Sequence, residues 1–118
     1  MTGLRVLVCG GRKFNNAMLL GSWLGGIANQ QGISCLIHGG ASGADHMAGQ
    51  FAKWKSIPVE VFPAEWKVYG KSAGPMRNAK MLIEGKPDLV VAFPGGTGTA
   101  NMVKQARAFG VDVLEIDP

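Results

Sequence analysis

Cysteine is scarce in this chain of 118 residues, which has two cysteines and two histidines. Cys9 and Cys35 both lie inside apolar runs, where we expect them to pack as small apolar residues, and two cysteines do not make a disulfide framework. His38 and His46 are not spaced like zinc ligands surrounded by cysteines or carboxylates. The sequence therefore predicts neither a disulfide-stabilised domain nor a metal site.

Long apolar runs and polar linkers are absent as well. No run approaches the roughly 18 apolar residues that a membrane-spanning helix needs, so we expect a cytoplasmic protein with no membrane partner. No composition shift or low-complexity tract divides the chain, and we expect one domain over residues 1–118. The formal net charge of +4 favours an anionic partner, but the basic residues are scattered rather than clustered.

Glycine, by contrast, is abundant, and three glycine-rich turns each follow a strand-like apolar run and precede a helical pattern. Glycine lets backbone N–H groups approach a ligand closely, and a helix N-terminus carries about +0.5 of an elementary charge. Each turn is therefore a candidate phosphate-binding site, and together they suggest one shared cleft. The three segments are Val6–Arg12, Cys35–Asp45 and Leu89–Thr99.

Alternating strand and helix patterns predict an α/β fold with a parallel sheet. The first, second and fourth strands are almost unbroken apolar runs, which is typical of strands covered on both faces, whereas the third and fifth carry charges and are placed at the edges. We predict a Rossmann-like three-layer αβα domain with a five-stranded parallel sheet of order 3-2-1-4-5, and a ligand at the reversal between strands 1 and 4. The predicted strands are Arg5–Cys9, Ser34–His38, Val59–Phe62, Asp88–Phe93 and Val113–Ile116.

Two common nucleotide-binding motifs are missing. The turn Cys9–Phe14 lacks the G-x-G-x-x-G of dinucleotide-binding oxidoreductases, and the nearest match, Gly96–Asn101, follows the fourth strand and ends in asparagine. Gly70-Lys71-Ser72 lacks the preceding glycine of a P-loop and is followed by Gly74-Pro75, which interrupts the helix that a P-loop needs. These departures argue against an NAD-dependent dehydrogenase and against a P-loop protein.

Five segments, in order along the chain, resemble the YspA-type, cpYpsA-related branch of the SLOG superfamily. That superfamily groups Rossmann-like proteins similar to the LOG phosphoribohydrolases, to the DNA-processing protein DprA and to proposed sensors of ligands such as ADP-ribose. The resemblance implies a nucleotide-type ligand, and it also implies association into a homodimer or larger homo-oligomer, for which the exposure of Trp23 and Trp54 is informative. The segments are Gly10–Phe14, His38–Asp45, Phe62–Trp66, Tyr69–Asn78 and Ala92–Thr99.

The resemblance to LOG enzymes breaks at one position. Pro94–Thr99 matches the signature P-G-G-x-G-T-x-x-E, but the glutamate position is Met102, and a thioether cannot act as an acid or stabilise a developing sugar cation. If the chain is a ribosyl N-glycosidase or transferase, Asp45 and Glu65 are the candidate acids. Ser42–Asp45 also has the spacing of a capping box, and Glu65 is equally compatible with a solvated loop. Enzymatic activity stays open.

The segment Pro63–Asn78 is predicted as a long loop that holds a lid or specificity element. Trp66 and Tyr69 could stack on a base, or could pack beneath the loop. Lys71 and Arg77 could meet phosphate oxygens, with a structural tether as the alternative for Arg77.

Pro75 is predicted at the first position of the next helix, which places Arg77 and Asn78 in its first turn, at the end that attracts anions. Arg12 and Phe14 could close the other side of the cleft, although a surface arginine and a packed phenylalanine are the alternatives.

The sequence thus predicts a domain that binds a phosphate-bearing, nucleotide-derived small molecule such as ADP-ribose, an NAD-like molecule or a related signalling nucleotide. The domain would act as a sensor, sequestering protein or processing enzyme and would require no further cofactor. A LOG-like phosphoribohydrolase and a DprA-like single-stranded DNA binder are the alternatives. The predicted ligand-binding residues are Gly10, Gly11, Arg12, Phe14, Gly39, Gly40, Ala41, Ser42, Gly43, Asp45, Trp66, Tyr69, Lys71, Arg77, Asn78, Pro94, Gly95, Gly96, Thr97, Gly98 and Thr99.

Overall fold

A computed structural model describes residues 2–118 and shows the predicted α/β architecture. Five parallel strands form one sheet of order β3-β2-β1-β4-β5, so the predicted strand order is confirmed. Each crossover between neighbouring parallel strands contains a helix, as such connections require. The elements are β1 Leu4–Cys9, α1 Ala17–Gln30, β2 Ile33–His38, α2 Ala44–Trp54, β3 Val59–Val61, α3 Trp66–Tyr69, a 3₁₀ turn Gly70–Ser72, α4 Ala73–Gly85, β4 Leu89–Ala92, α5 Thr97–Phe109 and β5 Asp112–Glu115.

Helices cover both faces of the sheet, and the alternation of side chains along β1 divides the core in two. Val6 and Val8 pack with apolar residues of α1 and α2, whereas Leu7 and Cys9 pack with those of α4 and α5. Successive residues of a strand point to opposite faces, which is why one strand contributes to both halves of the core. This arrangement fixes β1 at the centre and brings its carboxyl end to the reversal between β1 and β4.

The edge strands are short and partly exposed, as their charged residues predicted. Val59 and Val61 of β3 are both exposed. The Arg5 guanidinium reaches across from β1 to Glu60, with its Nη2 2.8 Å from the carboxylate Oε2, and its Nε donates to the Gly85 carbonyl. These contacts hold the β3 edge and the end of α4 against the sheet.

The prediction of a loop over residues 63–78 is wrong from Trp66 onward. The segment forms α3, a 3₁₀ turn and the start of α4, so Pro75 is the third residue of a helix rather than its first. Proline is tolerated there because the first backbone N–H groups of a helix have no intrahelical acceptor. Arg77 and Asn78 consequently lie beyond the first turn of α4.

Within residues 2–118, every helix is too short or too polar to cross a membrane. Trp54, at the end of α2, is 76% exposed and Trp23 of α1 is 42% exposed. Lys55 lies over the Trp54 ring, with its ammonium nitrogen 4.4 Å from the ring centroid.

Candidate functional site

A cleft of about 680 Å³ opens beside the carboxyl ends of the central strands. Its size falls within the range of roughly 300–1,000 Å³ that is usual for small-molecule sites. All three glycine-rich turns contribute to its wall, and the α3–α4 segment forms the opposite side. The lining residues include Gly10, Gly11, Arg12, Ala41, Asp45, Trp66, Lys71, Arg77, Asn78, Gly96, Thr97, Gly98 and Thr99 from the predicted set, together with Val8, Cys9, Gly74, Pro75, Met81 and Asn101.

The first glycine turn is wedged between the other two. Gly11 donates its N–H to the Pro94 carbonyl at 2.9 Å, and a Cβ on Gly95 would lie only 2.7 Å from that same nitrogen. A Cβ on Gly43 would collide with the Gly11 carbonyl oxygen, and Gly43 also has a φ of +75° that side chains disfavour. The glycines at positions 43 and 95 therefore let three stretches of backbone meet at one point.

The second glycine turn uses its own amides within the protein. The N–H groups of Gly39 and Ala41 both donate to Oδ2 of Asp45 at 3.2 Å, and the Gly40 N–H donates to Nδ1 of His38 at 3.0 Å. The Arg77 guanidinium donates from Nη1 to the Gly39 carbonyl at 2.7 Å. The N–H groups of Gly39, Gly40 and Ala41 therefore have acceptors within the protein.

The predicted capping box at Ser42–Asp45 is wrong. Gly43, not Ser42, is the N-cap of α2, and the Ser42 hydroxyl donates to the Arg12 carbonyl at 3.2 Å. The Asp45 carboxylate reaches backward to the preceding turn instead of to the Ser42 amide. Its side chain ties the turn to the helix that follows.

Burial has the largest effect on the pKa values of Asp45 and His38. It raises the pKa of Asp45, although the Ala41 N–H, His38, Arg77 and the Gly39 N–H all favour the charged form. Burial likewise lowers the pKa of His38, which is consistent with a neutral ring that accepts at Nδ1 from the Gly40 N–H. Both groups have structural partners, so neither is a free acid or base in the cleft.

The third glycine turn combines free amides with a helix N-terminus that has no carboxylate in its first turn. Gly96 is the N-cap of α5 and supplies no side-chain cap, and the first turn of the helix contains no acidic residue. The first helical bond is donated by Ala100 to the Gly96 carbonyl at 3.0 Å. In the part of the chain that the structure describes, the N–H groups of Thr97, Gly98 and Thr99 have no acceptor. They lie at the positive end of a helix of 13 residues that lines the cleft.

Three cationic side chains line the same cleft as this helix end. Arg12, Lys71 and Arg77 line the cleft, and among residues 2–118 Asp45 is the one carboxylate in its lining. The Arg12 guanidinium lies over the Trp66 ring, 5.2 Å from its centroid. Desolvation lowers the pKa of the half-buried Arg77. The arrangement therefore favours an anion.

Asn78 connects this side of the cleft to the third turn. Its Oδ1 accepts from Nε of Arg77 at 3.0 Å, and its Nδ2 donates to the Gly98 carbonyl at 3.3 Å and to Oδ1 of Asn101 at 3.1 Å. Asn78 is 4% exposed, so its amide works mainly within the protein. Sequence reasoning missed Asn101, although its position three residues after Gly98 places it one helical turn along the same face.

The remaining predicted residues lie outside the large cleft. Gly39, Gly40 and Ser42 line a second cavity of about 310 Å³. Phe14 packs on Phe93, with their ring centroids 5.4 Å apart. The residues that line neither cavity are Phe14, Gly43, Tyr69, Pro94 and Gly95.

The candidate acids have no catalytic arrangement in the structure. Met102, at the position of the LOG glutamate, is fully buried in the core between the sheet and the helices. Glu65 is the N-cap of α3 and lines neither cavity. Cys9 borders the cleft, but burial raises the pKa of its thiol to about 12, so it is protonated at neutral pH.

Comparisons with known proteins agree with this fold. A model of the YspA, cpYpsA-related SLOG family matches residues 4–69. The chain is 31% identical over 119 residues to the Gene 61 protein of Mycobacterium phage D29, and this match covers 93% of the chain and 94% of that protein. The X-ray structure of DNA processing protein A (DprA) from Streptococcus pneumoniae superposes on this chain with a TM-score of 0.76 and 19% sequence identity. The superposition covers 97% of this chain and 50% of the DprA chain. The latter similarity shows the fold alone.

Proposed function

This chain belongs to the YspA, cpYpsA-related SLOG family, and from that premise we propose that it binds a nucleotide-derived small molecule whose phosphate lies at the N-terminus of α5. Family membership supports a nucleotide-related binding role in general and specifies no ligand. The large cleft and its cationic lining support the more specific proposal.

The observation that carries the proposal is the set of free amides at Thr97, Gly98 and Thr99. Phosphate binds well at such a helix end, because several N–H groups point at one anion and the helix dipole adds a positive charge. Gly96, Thr97 and Gly98 are exposed and line the cleft, so a ligand can approach this helix end. The N-terminus of α2 differs, because Asp45 places a carboxylate in its first turn, and the N–H groups of Gly39, Gly40 and Ala41 before it already donate to Asp45 or His38. The first glycine turn is not at a helix end, since α1 begins only at Ala17.

The nucleoside part of the ligand would pack against the wall of the cleft that the α3–α4 segment forms. Trp66 is 47% exposed and lines the cleft, so part of its ring is accessible to a base. Lys71 and Arg77 would add charge to the phosphate site. ADP-ribose, an NAD-like molecule or a related signalling nucleotide fits this description, and no additional cofactor enters the proposal.

We favour binding over hydrolysis of the base–ribose bond. Glycosidic hydrolysis commonly uses a pair of carboxylates beside the reacting carbon. Here Asp45 is the one carboxylate lining the cleft, and its Oδ2 already accepts two backbone N–H groups. A sensor or sequestering protein needs no catalytic acid, so it accounts for the cleft without giving Asp45 a second role.

The variant Gly96→Asp tests the phosphate site. Position 96 has a φ of −102°, so it accepts a side chain, and aspartate is a favourable N-cap that gains a few tenths of a kcal/mol over glycine. The new carboxylate would occupy the amides and repel phosphate. We expect AMP and ADP-ribose affinity, measured by isothermal titration calorimetry, to fall by about tenfold or more while thermal stability holds or rises.

A matched control is Gly26→Asp, which adds the same charge in α1, where a Cβ also meets no atom within 4 Å. We expect this variant to bind as the wild type does. Equal affinity of both variants would reject the α5 site. Release of free base during the titration would instead favour the phosphoribohydrolase alternative.

A further inference from the structure

A second cavity of about 310 Å³ adjoins the large cleft. The two share four lining residues, Arg12, Ala41, Trp66 and Arg77, so they meet along a common boundary. The second cavity is otherwise walled by the second glycine turn and by Pro63 and Ala64. Its lining combines two guanidinium groups, from Arg12 and Arg77, with small residues and the hydroxyl of Ser42, and this set suits a small polar group better than an aromatic base.

Two guanidinium groups without carboxylate partners lie at this boundary. In residues 2–118, the ion pairs join Arg5 to Glu60 and Arg107 to Glu115, and neither Arg12 nor Arg77 takes part. Arg77 uses Nε and Nη1 for Asn78 and the Gly39 carbonyl, and its Nη2 donates to no acceptor in the described chain.

Arg12 and Arg77 line the same two cavities, and their positive charges repel each other. Burial is the main reason that the pKa of Arg77 is lowered, and the charge of Arg12 lowers it further while Asp45 opposes the shift. Apart from its contact with Trp66, Arg12 has no polar side-chain partner within the region that the structure covers. An anion between these groups would relieve the repulsion and satisfy their free N–H donors.

We infer that the two cavities form one two-lobed site for a ligand with two separate anionic groups and a polar distal group. This inference rests on the proposed function, which places the first phosphate at the N-terminus of α5. The second anionic group lies between Arg12 and Arg77, and the distal group enters the smaller cavity. The ligand class is therefore a nucleoside diphosphate that carries a polar substituent, such as a sugar, on its second phosphate.

The alternative, a mononucleotide, would use the larger lobe alone. It would leave the smaller cavity filled with water and the two guanidinium groups without an anion. The affinity difference between a mononucleotide and a substituted nucleoside diphosphate therefore measures what the second lobe contributes.

The test compares AMP with ADP-ribose on the wild type and on two variants. Arg12→Met removes the guanidinium but keeps an unbranched apolar stem beside Trp66, and Arg12 is exposed, so we expect the variant to fold. Lys13→Met is the matched control, since it removes one positive charge at the next residue, which lines neither cavity. Titration calorimetry gives the dissociation constants.

We expect the wild type and Lys13→Met to bind ADP-ribose at least tenfold more tightly than AMP. Arg12→Met should lower the affinity for ADP-ribose about tenfold more than the affinity for AMP. Equal losses for both ligands, or equal affinity of the wild type for both, would overturn the two-lobed site and leave the α5 phosphate site standing. If the wild type binds neither ligand, the proposed function fails as well.

Discussion

At the scale of single residues, the cleft holds ionisable groups whose partners are parts of the protein. Asp45 and Arg77 both bind the backbone of Gly39, because the carboxylate accepts from its N–H and the guanidinium donates to its carbonyl. The two side chains shape the second turn before any ligand arrives. An Arg77→Ala variant would therefore disturb the turn as well as the charge, and it is a poor probe of ligand binding alone.

Cys9 provides a prediction about pH. Burial raises the pKa of its thiol to about 12 in the folded state, above the ordinary value of 9.0. The unfolded chain loses this proton first, so the contribution to stability is complete below pH 9 and is lost as the pH rises towards 12. Between pH 8.5 and 10.5 we expect the wild type to lose about 1–2 kcal/mol more unfolding free energy than Cys9→Ala, measured by urea denaturation.

The comparison is internally controlled, because Cys35 and all other titrating groups are present in both proteins. The cavity left by the alanine shifts the whole stability curve without changing its dependence on pH. Parallel curves for the two proteins over this range would show that the Cys9 thiol is not protected from ionisation.

At the scale of elements, the sequence predicts the sheet well because its order depends on hydrophobicity. Strands covered on both faces are mostly apolar, and β1, β2 and β4 are so apart from Arg5 near the start of β1 and Ser34 and His38 in β2, whereas the shorter β3 and β5 carry acidic residues. The order 3-2-1-4-5 follows from that contrast together with the right-handed crossovers that parallel strands require.

The capping of the helices could not be predicted in the same way. Ser42–Asp45 has the spacing of a capping box, yet Asp45 turns back to the amides of Gly39 and Ala41. Likewise, Arg77 contacts Gly39 across 38 residues of sequence. All three glycine turns look alike along the chain, and only these contacts show that the amides of Gly39 and Ala41 are used within the protein.

The end of α4 gives a prediction about backbone strain. Lys86, its C-cap, has φ 48° and ψ 56°, a left-handed conformation that costs a non-glycine residue roughly 1–2 kcal/mol. Lys86→Gly removes that strain, but glycine also increases the conformational entropy of the unfolded chain, which offsets part of the gain. We therefore expect the unfolding free energy, measured by urea denaturation, to rise by about 0.5–1 kcal/mol.

Lys104→Gly is the opposite control, since this exposed lysine lies in the middle of α5. Glycine there should destabilise the protein by about 1 kcal/mol. A loss of stability in both variants would mean that Lys86 makes a favourable contribution that outweighs its backbone strain.

At the scale of the whole molecule, the basic residues are scattered along the chain, and three of them meet at the large cleft. The twelve basic and eight acidic residues leave a net charge of +4, and three of the basic residues line the large cleft. The association into a homodimer implied by the family resemblance stays a prediction, with the exposed Trp54 as a surface to examine. Sedimentation velocity of the wild type would measure the oligomeric state directly.

This charge distribution predicts weak binding to single-stranded DNA. Affinity for a single strand falls with salt concentration with a log–log slope of about −0.7 for each phosphate neutralised. We expect a ten-nucleotide oligonucleotide to give a slope no steeper than about −2, and to bind less tightly than ADP-ribose at every salt concentration, by fluorescence anisotropy with competition. A slope of about −4 or steeper, with tighter binding to the oligonucleotide, would favour the alternative of a DNA-binding protein.

The position of β1 between β2 and β4 has a consequence for how the protein is made. The first turn of the cleft is synthesised early, but the helix end that it faces, at residues 96–99, belongs to the last quarter of the chain. A nascent chain on the ribosome therefore holds half of the cleft until α5 emerges and closes a long-range contact. Under the proposed function, a metabolite could be captured only after nearly the whole sheet had assembled, so its binding would report completed folding.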